Sequence, residues 1–309
     1  MANIIGIDIG GTKCAVCVPA GEGRVREVAR WSTTDVQGTL ARIYDEVAAL
    51  RPPGDAVFGV SCGGPLDAGR GLILSPPNLP GWDRIAICAE LTARFGGRAF
   101  LMNDANACAL AEWQFGAGRG CRNMVFLTMS TGMGAGLILG GRLYEGANGN
   151  AGEVGHLRLA ADGPVGFGKR GSFEGFCSGG GIAQIVRRRS AESADASALR
   201  EVSPEKLTAE AVGRAAEAGD LLARELLRGV GEKLGEALAT LVDVLNPERI
   251  VIGSIYARCE QFVAPAMQAS LAREALVESV RICTVRPAEL GDEIGSYAAV
   301  AIARYHAGG

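Results

Sequence analysis

The stretch "IIGIDIGGTKCAVCV", residues 4–18, places one acid, Asp8, in an apolar strand that runs directly into a Gly-Gly-Thr-Lys turn. A carboxylate among isoleucines is costly to desolvate unless a positive or hydrogen-bonding partner meets it. In the turn, Gly10 and Gly11 let backbone N–H groups approach a phosphate, while Thr12 adds a hydroxyl donor and Lys13 a charge. The stretch therefore fits a phosphate-binding turn in which Asp8 holds magnesium through water. On its own it also fits a plain hairpin turn that Asp8 caps.

A second glycine turn repeats this pattern farther along the chain. Between the strand-like runs "NMVFLTMS" (123–130) and "AGLILGG" (135–141), Thr131, Gly132 and Gly134 supply a hydroxyl and closely spaced glycines. A pair of such turns can hold one polyphosphate from two sides. The repeated strand, turn and strand predicts a duplicated fold with two similar α/β halves.

Strands and helices alternate through the rest of the chain. Strand-like runs cover residues 4–9, 14–18, 56–61 and 98–103. One helical pattern follows the possible caps Thr34 and Asp35, and a second covers about residues 85–95. Later, the pattern of residues 219–245 predicts a long amphipathic helix. The stretch "RIVIGS" predicts a buried strand, and "EIGSYAAVAIARYH" predicts a closing helix. Alternation of this kind predicts layered α/β domains.

Composition narrows the class of protein. The chain has 309 residues, 48% of them hydrophobic, and a formal net charge of -3. Its length predicts two domains, and its charge predicts no nucleic-acid partner. It has no apolar run near the roughly 20 residues that span a bilayer and no secretory leader, so we expect a cytoplasmic protein without membrane contact. The nine scattered cysteines fit reduced core thiols.

Two familiar motifs are excluded by their context. "GVSCG", residues 59–63, matches the elbow of serine hydrolases, but Gly-Pro follows where a helix must begin, and His156 and His306 are the only candidate bases. "GPVGFGKR", residues 163–170, lacks the hydroxyl that a P-loop needs at Arg170 and has no preceding apolar strand.

The stretch "LMNDANACALAEW", residues 101–113, carries a candidate general base. A strand delivers Asn103 and Asp104 to the start of an alanine-rich helix. Either residue fits a helix N-cap, which accounts for one of the two. A carboxylate at the end of a strand, near a bound phosphate, can also deprotonate a sugar hydroxyl as it attacks.

Polar residues among glycines form a third cluster. Glu153 and His156 lie three residues apart in "GANGNAGEVGHLRL", and Glu174 follows in "GSFEGF". Carboxylates and an imidazole suit a polyol, whose hydroxyls need paired donors and acceptors. Considered alone, His156 fits a structural histidine better.

Seven motifs, in order, resemble those of the ROK family of bacterial sugar kinases and sugar-responsive repressors. They are "GIDIGGTK", "GGPLD", "NLPGW", "NDANACALAE", "TGMGAG", "GNAGEVGH" and "RIVIGS", and the resemblance covers about residues 3–305. It implies the actin-like, hexokinase-like ATPase fold, with two α/β domains of duplicated ribonuclease-H-like type flanking a cleft. We expect a small domain over residues 1–120, joined by the C-terminal helix 294–309, and a large domain over 121–293.

The resemblance also implies roles for individual residues. Asp8 and the first turn match the family's phosphate and magnesium site. Thr131, Gly132 and Gly134 match its second phosphate loop. Gly253 and Ser254 match the adenosine-side loop, where many members have a second glycine in place of Ser254. Asp104 matches the catalytic base. The positions that match sugar-binding residues are Gly64, Asn78, Asn103, Asp104, Glu153, His156 and Glu174.

One departure from the family pattern concerns zinc. Many members carry a C-x-C-G-x-x-G-C zinc motif before the sugar-binding Glu, with the His of the G-H pair as fourth ligand. Here Val165, Phe167 and Ser172 occupy cysteine positions. These side chains do not provide a zinc site with His156. We therefore expect no structural zinc, with Val165 and Phe167 providing apolar packing for the loop.

The resemblance implies an ATP- and Mg²⁺-dependent hexokinase, with glucose as the favoured substrate, and a homodimer. Fructose, mannose, allose and N-acetylhexosamines remain open, because sugar identity depends on the shape of the site around the 2-hydroxyl. A sugar-responsive repressor is the competing class. Repressor members carry a helix-turn-helix region ahead of the kinase-like part, whereas the strand pattern here starts near residue 3, so we favour the kinase.

Overall fold

A computed structural model describes residues 3–192 and 196–308. In chain order the strands are β1 Ile4–Ile9, β2 Lys13–Pro19, β3 Val25–Ser32, β4 Val57–Cys62, β5 Leu66–Asp67, β6 Leu72–Leu74, β7 Asp83–Ile85, β8 Arg98–Asn103, β9 Met124–Met129, β10 Met133–Leu139, β11 Arg142–Tyr144, β12 Val165–Gly166, β13 Lys169–Arg170, β14 Arg249–Ile252 and β15 Thr284–Pro287. The α-helices are α1 Val36–Ala49, α2 Ile87–Phe95, α3 Asp104–Phe115, α4 Phe173–Cys177, α5 Gly179–Glu192, α6 Ala209–Glu217, α7 Leu221–Leu245, α8 Ile255–Glu274, α9 Val277–Ile282 and α10 Ile294–Ala307.

Two five-stranded sheets have the same strand order. The first is β3-β2-β1-β4-β8, and the second is β11-β10-β9-β14-β15. In the first sheet, β1 pairs antiparallel with β2 and parallel with β4, which pairs parallel with β8. In the second, β14 pairs parallel with β9 and β15, and β11 pairs antiparallel with β10. The prediction of two similar α/β halves is confirmed.

The chain divides into two compact units. The first comprises the described residues up to Gly120, Gly136–Ala151 and the described residues from Glu289 onward; the second comprises Cys121–Ala135 and the described residues of Gly152–Ala288. The domain bounds expected from the sequence describe parts of the chain that would fold independently. They stay a prediction. Gly309, the last residue of the predicted C-terminal helix, lies outside the described residues.

Helices cover both faces of the first sheet. Ile5, Ile7 and Phe58 belong to the core cluster shared with Ile43 of α1 and Leu91 of α2. The backbone of helix α10 lies very close to strands β1 and β4. A Cβ at Gly6 would lie 2.7 Å from the Val300 nitrogen, and one at Gly59 would lie 2.2 Å from the Ala299 oxygen. Glycine is therefore required at these two strand positions.

The second unit depends on the packing of α7 against α8. A Cβ at Gly231 would lie 2.4 Å from the Val263 oxygen, and one at Gly235 would lie 2.3 Å from the Met267 oxygen. The two helix backbones can approach this closely because both α7 positions lack a side chain. No helix within the described ranges combines the length and apolar character needed to cross a membrane.

Two sequence-based expectations need adjustment. The helix expected over about 85–95 begins at Ile87, because Ile85 belongs to β7 and pairs with Ile73 of β6. Ser61 is the penultimate residue of the parallel strand β4 and is 3% exposed. A hydrolase nucleophile must be exposed at a sharp turn, so the exclusion of that motif agrees with the fold.

Candidate functional site

The first glycine turn joins β1 to β2 and is closed by its own backbone and by Thr33. The Gly10 N–H donates to the Lys13 carbonyl (3.0 Å), and the Thr33 hydroxyl donates to the Gly10 carbonyl (2.6 Å). Gly11, Thr12 and Lys13 are exposed. These hydrogen bonds close the turn without Asp8, so the acid is not needed as a cap.

Burial raises the pKa of Asp8 from 3.8 to about 6. The nearby charges of Lys13 and Arg30 oppose this rise, whereas the charge of Asp104 adds to it. Asp8 also faces the start of α10, where a Cβ at Gly295 would lie 2.5 Å from Asp8 Oδ2. The acid is thus partly desolvated, with cationic side chains close enough to affect its titration.

The start of α3 separates the roles of its two polar residues. Asn103 is the N-cap, and its side chain accepts a hydrogen bond from the Asn106 N–H (2.8 Å). Asp104 is the first helical residue, and its carboxylate accepts from the Ala105 N–H (2.9 Å). Burial raises the pKa of Asp104, and N–H donors from Ala105 and Asp104 itself lower it. Asp104 is nevertheless an exposed residue.

Strand register brings these two acids to the same edge of the first sheet. Ile9 of β1 is opposite Cys62 of β4, which is opposite Asn103 of β8. The three strands are parallel, so their carboxyl ends lie together, and ligands of open α/β sheets bind at such edges. The charges of Asp8 and Asp104 both raise the pKa of the Cys62 thiol, after burial, which is the main cause.

Asn78 lies against the first glycine turn. A Cβ at Gly11 would lie 2.4 Å from the Asn78 carbonyl oxygen, so glycine is required there for the approach. Gly64 is exposed and precedes Pro65 in a cis peptide bond. The first unit therefore brings Asn78 to the turn that carries the candidate phosphate donors.

The second glycine turn, between β9 and β10, contacts the start of α5. The Gly179 N–H donates to the Ser130 carbonyl (2.7 Å), and the Gly180 N–H donates to the Thr131 carbonyl (3.2 Å). Thr131 itself is exposed, and Gly132 and Gly134 are half-buried. The turn is thus fixed to a helix N-terminus while Thr131 remains exposed.

Glu174 lies on this second turn. Its Oε2 accepts a hydrogen bond from the Met133 N–H (3.0 Å), and a Cβ at Gly132 would lie 3.1 Å from the same oxygen. Glu174 occupies the first turn of the short helix α4, which is capped by the buried hydroxyl of Ser172 through the Gly175 N–H (3.1 Å). A carboxylate that matches the family's sugar-binding Glu therefore touches the turn that matches its phosphate loop.

Glu153 and His156 belong to the same unit. Glu153 is exposed and precedes the 3-10 helix Val154–His156. The imidazole of His156 meets the ring of Phe167 edge to face, with centroids 5.3 Å apart and an interplanar angle of 83°. The Lys169 ammonium donates to the His156 carbonyl.

The expected apolar packing of Val165 and Phe167 is wrong. Phe167 is 80% exposed and Val165 37% exposed, because they lie in a two-stranded hairpin that projects its tip into solvent. Ser172, at the third cysteine position, is the buried member and donates to the Lys169 carbonyl (2.9 Å). Within residues 3–192 and 196–308, no group of three or more His, Cys, Asp or Glu side chains is arranged to hold a metal ion.

Gly253 and Ser254 join β14 to α8. The Gly253 N–H donates to the Leu127 carbonyl (2.9 Å), which ties the loop to β9. Ser254 is the N-cap of α8 with φ +54° and ψ −112°, and its side chain makes no capping hydrogen bond. This backbone conformation favours the glycine that many family members have here.

Sequence patterns missed several contributors to the acid environment. Arg30 pairs with Glu27, whose Oε1 accepts from the Ser296 hydroxyl (2.6 Å). Gly295 faces Asp8 from α10, nearly three hundred residues away in sequence. Contacts over such separations leave no local pattern; an available signal was the "IGS" at the start of a helix otherwise rich in alanine.

Known proteins resemble the whole chain. A family model described as "ROK family" matches residues 4–306. Glucokinase of Thermotoga maritima is 29% identical, with 99% of each chain covered, and glucokinase of Halalkalibacterium halodurans is 33% identical, with 94% of this chain and 92% of the relative covered. N-acetylmannosamine kinase of Escherichia fergusonii is 31% identical, with 84% of this chain and 85% of the relative covered.

Solved structures also match the fold. A ROK family glucokinase from Streptomyces griseus, in complex with glucose and AMPPNP, is 29% identical, with a TM-score of 0.77 over 97% of this chain and 99% of that one. A ROK family transcriptional regulator, a homologue of the MLC protein of E. coli, is 23% identical, with a TM-score of 0.85 over 98% of this chain and 78% of its own. The fold is thus of the actin-like, hexokinase-like class, and the chain belongs to the ROK family.

Proposed function

We propose that the protein is an ATP-dependent hexokinase that converts glucose to glucose 6-phosphate. The observation that carries the proposal is the pair Asp8 and Asp104, which lie near the carboxyl ends of parallel strands, where the charge of Asp104 adds to the rise in the pKa of Asp8. Glucokinase relatives and the glucose and AMPPNP complex of a related enzyme support the same activity.

Asp104 is the proposed general base. Its environment raises its pKa, and a carboxylate is a stronger base when its pKa lies nearer the working pH. Solvent access lets the carboxylate reach a substrate hydroxyl. We propose that Asp104 takes the proton of the sugar 6-hydroxyl as that oxygen attacks the terminal phosphorus of ATP.

ATP and Mg²⁺ fit the chemistry of the two turns. The nucleotide supplies the phosphoryl group and the cation neutralises its charge. We propose that Asp8 holds Mg²⁺ through water, that Gly10, Gly11, Thr12 and Lys13 bind phosphate, and that Thr131, Gly132 and Gly134 do the same from the second turn. Gly253 and Ser254 are assigned to the adenosine side.

The sugar is assigned to residues whose side chains or backbone groups offer hydrogen-bond partners to its hydroxyls. These are Gly64, Asn78, Asn103, Asp104, Glu153, His156 and Glu174. Carboxylates accept hydrogen bonds from sugar hydroxyls, while the Asn amides and the imidazole can donate. The proposal includes a homodimer in the cytoplasm, and light scattering of the purified protein measures the oligomeric state.

A coupled ATP-consumption assay tests the activity and its substrate. Glucose, fructose, mannose, allose, N-acetylglucosamine and N-acetylmannosamine are compared at equal concentration with Mg²⁺. We expect glucose to give the highest kcat/KM. If ATP consumption is greatest with an N-acetylhexosamine, glucose is not the preferred substrate but the assignment as a sugar kinase holds. If no sugar supports ATP consumption, the assignment as a sugar kinase is contradicted.

Asp104→Asn tests the assigned base. We expect the change to lower kcat by about 10²–10⁴-fold, the usual size of a general-base contribution, with sugar affinity nearly unchanged. Asp45→Asn, on the exposed face of α1, is the matched control and should keep full turnover. Near-normal turnover of Asp104→Asn would show that another group accepts the proton.

A further inference from the structure

An exposed aromatic ring at the tip of a tight hairpin lies beside the candidate sugar residues of the second unit. The hairpin pairs Gly166 with Lys169, so Phe167 and Gly168 form a two-residue loop. Both have positive φ, +44° and +74°. A loop with two positive φ angles is of the I′ type and strongly favours Asn-Gly. Phenylalanine at the first position is therefore strained.

The exposure of Phe167 adds a second cost. Its side chain is 80% exposed, so it gains little from burial, and the turn would be more stable with a residue suited to it. Leu221 has a similar exposure of 77% but begins helix α7 with ordinary helical geometry. Phe167 thus combines strain and exposure, a combination typical of residues kept for a ligand.

Packing fixes where the ring is held. The rings of His156 and Phe167 meet edge to face, with their centroids 5.3 Å apart. The adjoining residue Gly166 lies against Glu174, where a Cβ would be 2.7 Å from the Glu174 Cβ. The Lys169 ammonium, two residues on, donates to the His156 carbonyl. The hairpin is therefore fastened to both polar residues, while most of the Phe167 ring remains open to solvent.

We propose that Phe167 is a specificity-determining residue that stacks on an apolar face of the sugar. A pyranose with equatorial hydroxyls directs its axial C–H bonds to the two faces of the ring, and aromatic rings with a few polar groups beside them suit such amphipathic ligands. His156 and Glu174 would bind hydroxyls at the sugar's edge while Phe167 covers a face. This inference rests on the proposed sugar-binding role of that cluster.

Phe167→Asn separates the ring's role from the turn's stability. Asparagine suits the first position of the turn, so we expect the melting temperature to stay equal to the wild-type value or to rise. We expect the KM for the preferred sugar to rise about 5- to 20-fold, in the range of one lost apolar contact, and the KM for ATP to stay within twofold. Phe167→Trp should retain sugar affinity, and Leu221→Ala is the control for removing an exposed apolar side chain.

Titration calorimetry with the preferred sugar, without ATP, gives a second readout. A sugar Kd that rises for Phe167→Asn and is retained by Phe167→Trp supports the inference even when ATP consumption fails, so the two proposals are distinguished. A sugar Kd or KM for Phe167→Asn within twofold of wild type would overturn it. So would a wild-type protein that binds none of the six sugars tested, in which case the proposed function fails as well.

Discussion

The buried carboxylate of Asp8 lowers the stability of the folded protein when it is charged. Burial raises its pKa to about 6 from 3.8, which means that the folded state disfavours the charged carboxylate. A group with a raised folded-state pKa reduces stability as pH rises between its unfolded and folded pKa values. Above about pH 6 the full cost is present, and each pKa unit corresponds to about 1.4 kcal/mol.

Asp8→Asn should therefore stabilise the unliganded protein while abolishing activity. At pH 7.5 we expect the free energy of unfolding in urea to rise by about 1–3 kcal/mol, because the desolvated charge is removed. The gain should shrink as pH falls from 7.5 to 5, where wild-type Asp8 takes up its proton. Asp45→Asn is the exposed control. A variant less stable than wild type at pH 7.5 would mean that Lys13 and Arg30 outweigh desolvation.

Ser254 carries backbone strain that glycine would relieve. Its φ of +54° and ψ of −112° lie outside the usual regions for a residue with a side chain, and its hydroxyl does not cap α8. We expect Ser254→Gly to raise the free energy of unfolding by about 1 kcal/mol. Ser254→Ala keeps the strain and serves as the control. Equal urea midpoints for the two variants would show that the strain costs nothing.

Sequence patterns predicted residues better where the chemistry is local. Asp35 was expected as a cap and does cap α1 through the Gly38 N–H. The strain at Ser254 had a signal too, since many family members have glycine there. The exposure of Phe167 had none, because burial depends on how the hairpin projects from its unit. The apolar character of Phe167 predicts a packing residue, but the hairpin backbone places its side chain in solvent.

At the scale of elements, the buried side chain of Glu112 joins two helices of the first unit. It is fully buried on α3 and accepts hydrogen bonds from the N–H groups of Ala117 (2.7 Å), Glu289 (3.2 Å) and Leu290 (2.9 Å). The last two residues lead into α10. Because α3 begins with Asp104 and α10 begins beside Asp8, this carboxylate helps to fix both acids.

Glu112→Ala should destabilise the protein strongly. Three backbone N–H groups would lose their buried carboxylate acceptor, and a hydrogen bond to a charged group contributes roughly 1.5–3 kcal/mol, so we expect a loss of about 3 kcal/mol or more in urea unfolding. Glu112→Gln keeps one oxygen acceptor and should lose less. Glu210→Ala, at an exposed position of α6, is the surface control. Equal losses for the Ala and Gln variants would indicate a packing effect.

Element prediction succeeded where the apolar period was clear. The long helix expected over residues 219–245 is α7, Leu221–Leu245, and the closing helix is α10. Helix α8 was not among the predicted elements, because it contains Pro265 and polar residues interrupt its apolar face. Its buried Tyr256, Cys259 and Val263 have helical spacing and were the signal available. Short strands such as β5 and β6 depend on pairing with each other.

At the scale of the whole molecule, the sequence predicted the class of fold because the opening motif is repeated. Each sheet has a glycine turn after its central first strand, and the strand orders match. Asn103 and Asp104 have local hydrogen-bond partners, whereas the contact of Gly295 with Asp8 joins segments far apart in sequence. No pattern within a window of residues predicts such pairs.

Ligand binding should raise the stability of the whole protein by mass action. At a sugar concentration of 100 times Kd, we expect about 2.7 kcal/mol of added stability, measured as a rise of several degrees in melting temperature with glucose. Asp104→Asn should show a similar rise, because it keeps the other sugar contacts. Glu174→Ala should show a smaller one. A melting temperature unaffected by glucose would argue against glucose as the substrate.

The position of α10 has a consequence for synthesis of the protein on the ribosome. Residues Gly6 and Gly59 belong to strands made early, yet the helix that lies on them spans Ile294–Ala307. At about 5–20 residues per second, more than two hundred residues must be translated in between, a delay of roughly 10–50 s. During that interval one apolar face of the nascent sheet lacks its native cover, which makes this face a natural substrate for chaperones.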